Sequence, residues 1–294
     1  MKRLAFLFLL LLPLQALATP QGWSPLLEPA QLINILSTEP GVRVVQLTGN
    51  YAETHIPGSV FAPYSQFRGP QENAGALPDL GELTTIVQRL GIDADTPVVL
   101  VHGGANAVDM GAATRVYWTL KSLGVETLAI LNGGLAAWQA AQFPVTAEAS
   151  QVAASGFTPR WNDQYRVTTE QIAELVETNS AQIIDARPAA YFTGAQASAA
   201  RAGTLPGATN LSFEDWFDGS RMQPVSSLTQ MLNTAAKNDA ELTVTFCNTG
   251  HLGSINWFVI SELGGYENTR LYAESITEWA MDPARPMINE ASGN

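Results

Sequence analysis

The sequence contains the same strand-and-helix unit twice, and this repeat limits the fold more than any other feature. Each half has a β-branched run, a Pro-Gly turn and a closing tryptophan: 41–47, Pro57-Gly58 and Trp138, then 181–188, Pro206-Gly207 and Trp279. Between the turn and the tryptophan, each half has a further apolar run and a stretch with apolar residues at helical spacing. Alternating strands and helices predict an α/β fold. We therefore expect two tandem domains, each a mostly parallel sheet flanked by helices.

Residues 147–164 separate the two halves, because they are mostly small and polar and show no periodicity. This composition is typical of a connecting segment that runs over the surface. We therefore assign 22–146 to an N-terminal domain and 165–294 to a C-terminal domain. Hydrophobic residues make up 46% of the chain and charged residues 14%, so both domains can bury substantial cores.

The first 18 residues have the order of segments found in a secretory signal peptide. Lys2 and Arg3 precede an apolar run at 4–12, and small residues precede the expected cleavage site after Ala18. The alternative is a membrane anchor, but the run is shorter than the roughly 20 apolar residues that cross a bilayer. We therefore expect a periplasmic or secreted protein with no membrane segment after cleavage.

The charge balance argues against nucleic acid as a partner. Without Lys2 and Arg3, 13 basic side chains stand against 27 acidic ones, a formal net charge of −14. No cluster of Lys and Arg offsets this excess, and an acidic surface repels nucleic-acid phosphates.

Cys247 is the single cysteine of the chain, so no internal disulfide stabilises the fold. A free thiol in an oxidising compartment is either buried and inert or used in chemistry. Cys247 follows the strand-like run 241–246, and a segment containing Gly250 and Gly253 leads from it into a helix-like stretch. The N–H groups of such a loop and of a helix N-terminus favour a thiolate. This context indicates a nucleophile rather than a structural cysteine.

The order of the motifs resembles that of the tandem-domain members of the rhodanese family of sulfurtransferases. The motifs are the segment 242–264 around Cys247, DAR at 185–187, LPGA at 205–208, HIPGS at 55–59 and LNGGLAAW at 131–138. In that family a six-residue loop begins with the catalytic cysteine, and usually only the C-terminal domain keeps it. The first half has HGGANAVDMG in the corresponding place, without a thiol. The resemblance implies that Cys247 is catalytic and that the following residues bind substrate or stabilise a persulfide: Asn248, Thr249, Gly250, His251, Leu252 and Gly253.

The loop departs from the family pattern in its charge. Members commonly have Arg at the second position and Thr, Arg or Lys toward the end, whereas this loop has Asn248, His251 and Leu252. This lower positive charge leaves open whether the donor is the dianionic thiosulfate that the family often uses or another sulfur compound. His251 either supplies a cation when protonated, donates a hydrogen bond when neutral, or has no catalytic role. We expect that replacing it alters donor preference more than stability, since loop residues contribute little packing.

Three further residues are candidates for the rim of the site. Asp185 and Arg187 end the first strand of the second half, where they either support the loop and bind an anion or form a local ion pair that fixes the loop. Arg201 precedes the second Pro-Gly turn and is a second candidate for holding an anionic donor.

The resemblance implies double displacement through a Cys247 persulfide. The sulfur donor would be a small molecule such as thiosulfate or 3-mercaptopyruvate, and the acceptor cyanide, a thiol or a protein. The reaction requires no metal and no organic cofactor. Covalent catalysis of this kind divides one difficult transfer into two easier ones.

Two alternatives stay open at this stage. A cysteine-dependent phosphatase would need a Cys-x5-Arg loop, but the sixth residue after Cys247 is Gly253. A persulfide carrier without turnover, or a binding module on the same scaffold, would also keep the thiol, because fold alone does not establish function.

Overall fold

The computed structural model describes residues 19–235 and 241–292. The predicted signal peptide, residues 1–18, lies outside the described residues. Within those two ranges, no helix is both long enough and apolar enough to cross a bilayer.

The first domain contains a five-stranded sheet in which every pairing is parallel, in the order β1-β5-β4-β2-β3. Its strands are β1 (Leu26–Leu27), β2 (Arg43–Gln46), β3 (Val60–Phe61), β4 (Val98–Val101) and β5 (Leu128–Leu131). The central strand β4 is buried along its whole length, which its run of β-branched and leucine side chains favours.

The second domain repeats this arrangement with a four-stranded parallel sheet in the order β11-β10-β6-β7. Its strands are β6 (Gln182–Asp185), β7 (Thr209–Asn210), β10 (Thr243–Phe246) and β11 (Thr269–Leu271). A short antiparallel hairpin, β8 (Phe217–Asp218) and β9 (Arg221–Met222), lies outside this sheet.

Helices accompany both sheets, four in the described part of the first domain and five in that of the second. They are α1 (Pro29–Thr38), α2 (Leu80–Arg89), α3 (Met110–Ser122), α4 (Gly134–Ala140), α5 (Thr169–Thr178), α6 (Ala189–Phe192), α7 (Val225–Ala235), α8 (His251–Trp257) and α9 (Ser275–Trp279). The predicted architecture of two mostly parallel sheets flanked by helices is therefore confirmed.

The repeat extends to individual side-chain contacts. The indole of Trp138 donates to the carbonyl of Pro144 at 2.8 Å, and the indole of Trp279 donates to that of Pro286 at 2.9 Å. The glycines of the two Pro-Gly turns, Gly58 and Gly207, have φ of 80° and 75°, a conformation that glycine adopts without strain.

The two domains meet through the helices that follow equivalent strands, α3 after β4 and α8 after β10. At the centre of this contact, the hydroxyls of Thr114 and Ser254 form a buried hydrogen bond of 2.8 Å. Lys121 on α3 pairs with Glu262 at 2.7 Å, just beyond α8. The helix that begins at the cysteine loop is therefore one side of the domain interface.

The segment 147–162 contains no regular secondary structure, but it does not run entirely over the surface as expected. Phe157 and Trp161 pack against the main hydrophobic core, and the rings of Trp161 and Trp118 meet edge to face at 5.6 Å. Aromatic burial ties this segment to the first domain. The domain boundaries stay predictions.

Candidate functional site

Cys247 lies at the carboxyl end of β10, and three residues separate it from α8. In parallel α/β sheets, ligand sites form at this edge. The adjacent strand β6 ends in register, with Phe246 opposite Asp185. The sequence prediction that the thiol sits in a strand–loop–helix connection therefore agrees with the structure.

Ser275 holds the cysteine loop from the next strand–helix connection. Its Oγ accepts hydrogen bonds from the backbone N–H groups of Cys247 and Gly250, both at 3.1 Å, and donates to the carbonyl of Tyr272 at 2.8 Å. The loop carbonyls are held too, because Ile276 N–H donates to Cys247 at 3.1 Å. Ser275 could not be identified from the sequence, since it lies 28 positions beyond the cysteine and carries no motif of its own.

Fewer amides face the sulfur than the sequence suggested. The N–H of Gly250 is committed to Ser275, so it does not stabilise an anion on Cys247. The N–H groups of Asn248 and Thr249 have no acceptor within the described part of the chain. Those of the first turn of α8, including His251, have no intrahelical partner by helix geometry. These groups remain as donors for an anionic sulfur.

The loop is also shorter than expected, because α8 begins at His251 rather than after Gly253. Gly250 makes the turn into the helix with φ of 68°, and a Cβ there would collide with the carbonyl of Ala273 and the guanidinium of Arg115. Gly253 packs against the strand, where a Cβ would lie 2.9 Å from the backbone of Phe246. Leu252 packs partly buried against the main core.

The thiol of Cys247 is almost completely enclosed, with 1% of the residue exposed. Its surroundings are not apolar throughout, because the Arg115 guanidinium and the Tyr64 phenol lie close enough to Cys247 to interact with it electrostatically. Both residues belong to the Cys-free domain. A donor reaches the sulfur only when neighbouring side chains move.

His251 connects the catalytic helix to the other domain. The hydroxyl of Tyr64 donates to its Nδ1 at 2.8 Å, and its Nε2 donates to the carbonyl of Val108 at 2.8 Å. Burial and the positive charges of Arg68 and Arg115 lower the pKa of His251 to about 4, although the hydrogen bond to the carbonyl of Val108 raises it. The imidazole is therefore neutral near pH 7, so it does not supply the missing cation. Because it contacts both domains, its replacement is expected to affect stability as well as donor preference.

Two arginines that the sequence analysis did not select reach the loop from the Cys-free domain. Arg68 donates Nη2 to the carbonyl of Thr249 at 2.9 Å. Arg115, on α3, is fully buried and donates Nη2 to the carbonyl of Gly75 at 2.9 Å. No sequence pattern indicates them, because the contact depends on how the two domains dock.

Asp185 and Arg187 form a buried ion pair at the end of β6, with Nη2 2.6 Å from Oδ2. The Nη1 of Arg187 donates to Ser198 at 3.2 Å, and the Ser198 hydroxyl donates to Oδ1 of Asn248. The pair therefore supports the loop through Ser198. Neither charge is free to bind a donor, because Arg187 is fully engaged with Asp185, Ser198 and Gly203.

Arg201 does not hold a donor in this structure. Its guanidinium donates to four backbone carbonyls, those of Trp279, Ala280, Asp282 and Arg285, at 2.7 to 3.3 Å. Cations commonly bind the free carbonyls at a helix C-terminus. Arg201 thus fixes the chain that follows α9.

The equivalent loop of the first domain is filled by its own carboxylate. Asp109 accepts hydrogen bonds from the N–H of Gly104 at 2.7 Å and from the hydroxyl of Thr48 at 2.9 Å. A cavity of about 740 Å³ opens beside it and is also lined by Tyr64 and His251. The loop amides that would face an anion are therefore occupied by Asp109 in the half that lacks the thiol.

Comparison with known proteins agrees with this geometry. The rhodanese-like domain family matches residues 36–141 and 168–282. The chain is 29% identical over 267 residues to the thiosulfate sulfurtransferase of Azotobacter vinelandii, covering 89% of this chain and 96% of that protein. It is 26% identical over 255 residues to the 3-mercaptopyruvate sulfurtransferase of Escherichia coli, covering 85% and 88%.

The fold has a solved counterpart in SseA from Escherichia coli, a 3-mercaptopyruvate sulfotransferase. The TM-score is 0.75 with 22% sequence identity, and the match covers 86% of this chain and 99% of SseA. The family match spans most of the chain in two copies, so the resemblance inferred from the motifs is confirmed. The chain belongs to the rhodanese family and contains two rhodanese-like domains.

Proposed function

We propose that this chain is a sulfurtransferase that moves sulfane sulfur from a small donor to a nucleophilic acceptor through a persulfide on Cys247. One structural observation carries the proposal: Cys247 directly follows β10, and the N–H groups of Asn248 and Thr249 beside it have no acceptor within the described ranges. The names of the relatives support the same reaction class.

In the first step the Cys247 thiolate attacks the outer sulfur of a donor such as thiosulfate. The S–S bond of the donor breaks, sulfite leaves with the bonding electrons, and the sulfur stays on Cys247 as a persulfide. The free amides of the loop stabilise the negative terminal sulfur, as an oxyanion hole stabilises oxygen.

In the second step an acceptor, cyanide or a thiol, attacks the outer sulfur of the persulfide. The S–S bond to Cys247 breaks and the thiolate is restored. The chain's own contribution is to position the sulfur and to enclose it, since Cys247 is 1% exposed. Enclosure protects the persulfide from competing nucleophiles such as water.

The chain is similar both to a thiosulfate sulfurtransferase and to a 3-mercaptopyruvate sulfurtransferase, so both compounds are proposed as donors. Turnover with thiosulfate and with 3-mercaptopyruvate, each with cyanide as acceptor, tests it. Continuous formation of thiocyanate that is lost in Cys247→Ser is the expected result. A single turnover per chain would identify a carrier instead, and hydrolysis of an aryl phosphate without sulfur transfer would identify a phosphatase.

We also propose that the chain is exported and acts in the periplasm or outside the cell. The support is the order of Lys2, Arg3, the apolar run 4–12 and the small residues before Thr19. Expression in a bacterial host followed by N-terminal sequencing of the product tests this. A mature chain that begins at Thr19 in the periplasmic fraction is expected, and an intact Met1 in the cytosol would contradict it.

A further inference from the structure

Two guanidinium groups of the Cys-free domain lie against the cysteine loop without an acidic partner. Arg68 is bound to the carbonyl of Thr249, and Arg115 lies where a side chain on Gly250 would be. Neither forms an ion pair with a carboxylate of the described chain. Glu274 interacts with Arg115 electrostatically, but its Oε1 is paired with Arg166.

Each arginine keeps a buried donor that is unused. Nη1 of Arg68 and Nε of Arg115 have no hydrogen-bond partner among the described residues. Arg115 is 0% exposed, and burial together with the charge of Arg68 lowers the pKa of Arg115 to about 10. A buried charge without a partner is costly, and a second like charge adds to that cost. The pair is therefore suited to an anion that the chain itself does not provide.

The position of Arg68 and Arg115 beside the cysteine loop indicates the kind of anion that they would bind. Both arginines contact the peptide 249–250 of the cysteine loop, and Arg115 lies close enough to Cys247 to interact with it electrostatically. The loop from Asn248 to Gly253 contains no Lys or Arg, and His251 is neutral. Arg187 and Arg201 are engaged elsewhere. Cationic groups at the site therefore come from the other domain.

We propose that Arg68 and Arg115 form an anion-binding site between the domains, which takes the sulfonate-like or carboxylate end of the sulfur donor while its sulfur meets Cys247. The guanidinium fork matches the geometry of both groups. This inference rests on the proposed sulfur transfer and adds the groups that recognise the charge of the donor. It gives the Cys-free domain a direct part in the site.

Alkylation of Cys247 tests the site without relying on sulfur transfer. Iodoacetate and iodoacetamide both transfer a two-carbon group to a thiolate with loss of iodide, but only iodoacetate is anionic. The ratio of their rate constants is measured for the wild type, Arg68→Gln, Arg115→Gln, the conservative variants Arg68→Lys and Arg115→Lys, and the exposed control Arg89→Gln. Arg89 is exposed on the first domain, and its guanidinium donates to Oε1 of Gln66.

The iodoacetate to iodoacetamide ratio should fall about tenfold or more in each Gln variant, partly recover in the Lys variants and stay unchanged in Arg89→Gln, since a charge-assisted hydrogen bond is lost. Equal slowing with both reagents would overturn the proposal, because a merely structural role or lower thiol reactivity affects both alike. Melting temperatures accompany each measurement. If Arg115→Gln does not fold, the rate ratios of Arg68→Gln and Arg115→Lys test the proposal.

Steady-state kinetics with the two sulfur donors then identify the kind of anion that the site binds. KM for thiosulfate rising about tenfold in Arg68→Gln, with kcat nearly constant, would support a sulfonate-like group, and the same rise for 3-mercaptopyruvate would support a carboxylate. Unchanged KM for both donors would overturn the site while leaving the sulfurtransferase function intact. Conversely, a wild-type preference for iodoacetate that depends on both arginines would uphold the site even if no donor loaded Cys247.

Discussion

The hydroxyl of Tyr64 donates a hydrogen bond of 2.8 Å to Nδ1 of His251 across the domain interface. Because Nδ1 accepts, the proton of the neutral ring is on Nε2, which donates to the carbonyl of Val108. The first residue of the helix after the cysteine loop is thus fixed by two groups of the other domain. Movement of the domains relative to each other would move that end of the loop.

Acid should weaken this contact before it affects most carboxylates. The pKa of His251 is lowered to about 4 in the folded chain, below its ordinary value of 6.5, so the unfolded chain binds the proton first. The stability contributed by the neutral ring is fully present above pH 6.5 and is lost as the pH falls toward 4. Between pH 6.5 and 5 we expect the wild type to lose about 1 to 2 kcal/mol more unfolding free energy than His251→Gln. Urea unfolding at the two pH values checks this, and parallel losses in both proteins would contradict it.

Gly111 on α3 is expected to tolerate no side chain. A Cβ at this position would lie 2.5 Å from Nε2 of His251. Gly111→Ala should lower the unfolding free energy by about 1 to 3 kcal/mol, as overpacking does, although Ala favours a helix. Gly156→Ala, with nothing within 4 Å of the added Cβ, is the matched control and should be nearly neutral. A Gly111→Ala protein as stable as the control would show that the interface adapts.

The buried pair Asp185–Arg187 should be costly to break on one side. Asp185→Leu leaves the Arg187 guanidinium buried without a carboxylate, and a loss of about 3 to 5 kcal/mol is expected. The double variant Asp185→Leu with Arg187→Met should lose less than the sum of the two single changes, because it removes both charges. Chemical denaturation of the four proteins measures the coupling, and strict additivity would argue against it.

Ser275→Ala should make the cysteine loop less well held. It leaves the N–H groups of Cys247 and Gly250 without their acceptor, at a cost of about 1 to 3 kcal/mol. Because the loop amides are then less well placed, persulfide formation should slow by about tenfold. The exposed Ser37→Ala is the control for the loss of a serine hydroxyl. Unchanged loading of Cys247 in Ser275→Ala would show that the loop holds its shape without this residue.

The structural features that depend on a local sequence pattern could be predicted. Strand β10, the thiol after it and the glycine turn at Gly250 could all be predicted, since each follows from neighbouring residues in the chain. Trp138 and Trp279 occupy matching positions in the two halves, and this match likewise predicted that both side chains lie in the cores of their domains. Helix α8 starts earlier than predicted because Gly250 completes the turn in a left-handed conformation.

What depends on the docking of α3 against α8 could not be predicted. Arg68 and Arg115 reach the loop of the other domain from positions 181 and 158 residues away from their partners Thr249 and Ala273. No single-sequence pattern reports such a distance. For the same reason the sequence left the role of His251 open, and it offered Arg201 as an anion-binding residue although helix-end carbonyls engage it.

Intact mass of the protein after incubation with thiosulfate or 3-mercaptopyruvate shows whether Cys247 carries a persulfide. We expect a gain of one sulfur, about 32 Da, that maps to Cys247, is removed by cyanide and is absent in Cys247→Ser. No gain with either donor, in a folded protein whose thiol still reacts with iodoacetamide, would contradict a persulfide at Cys247.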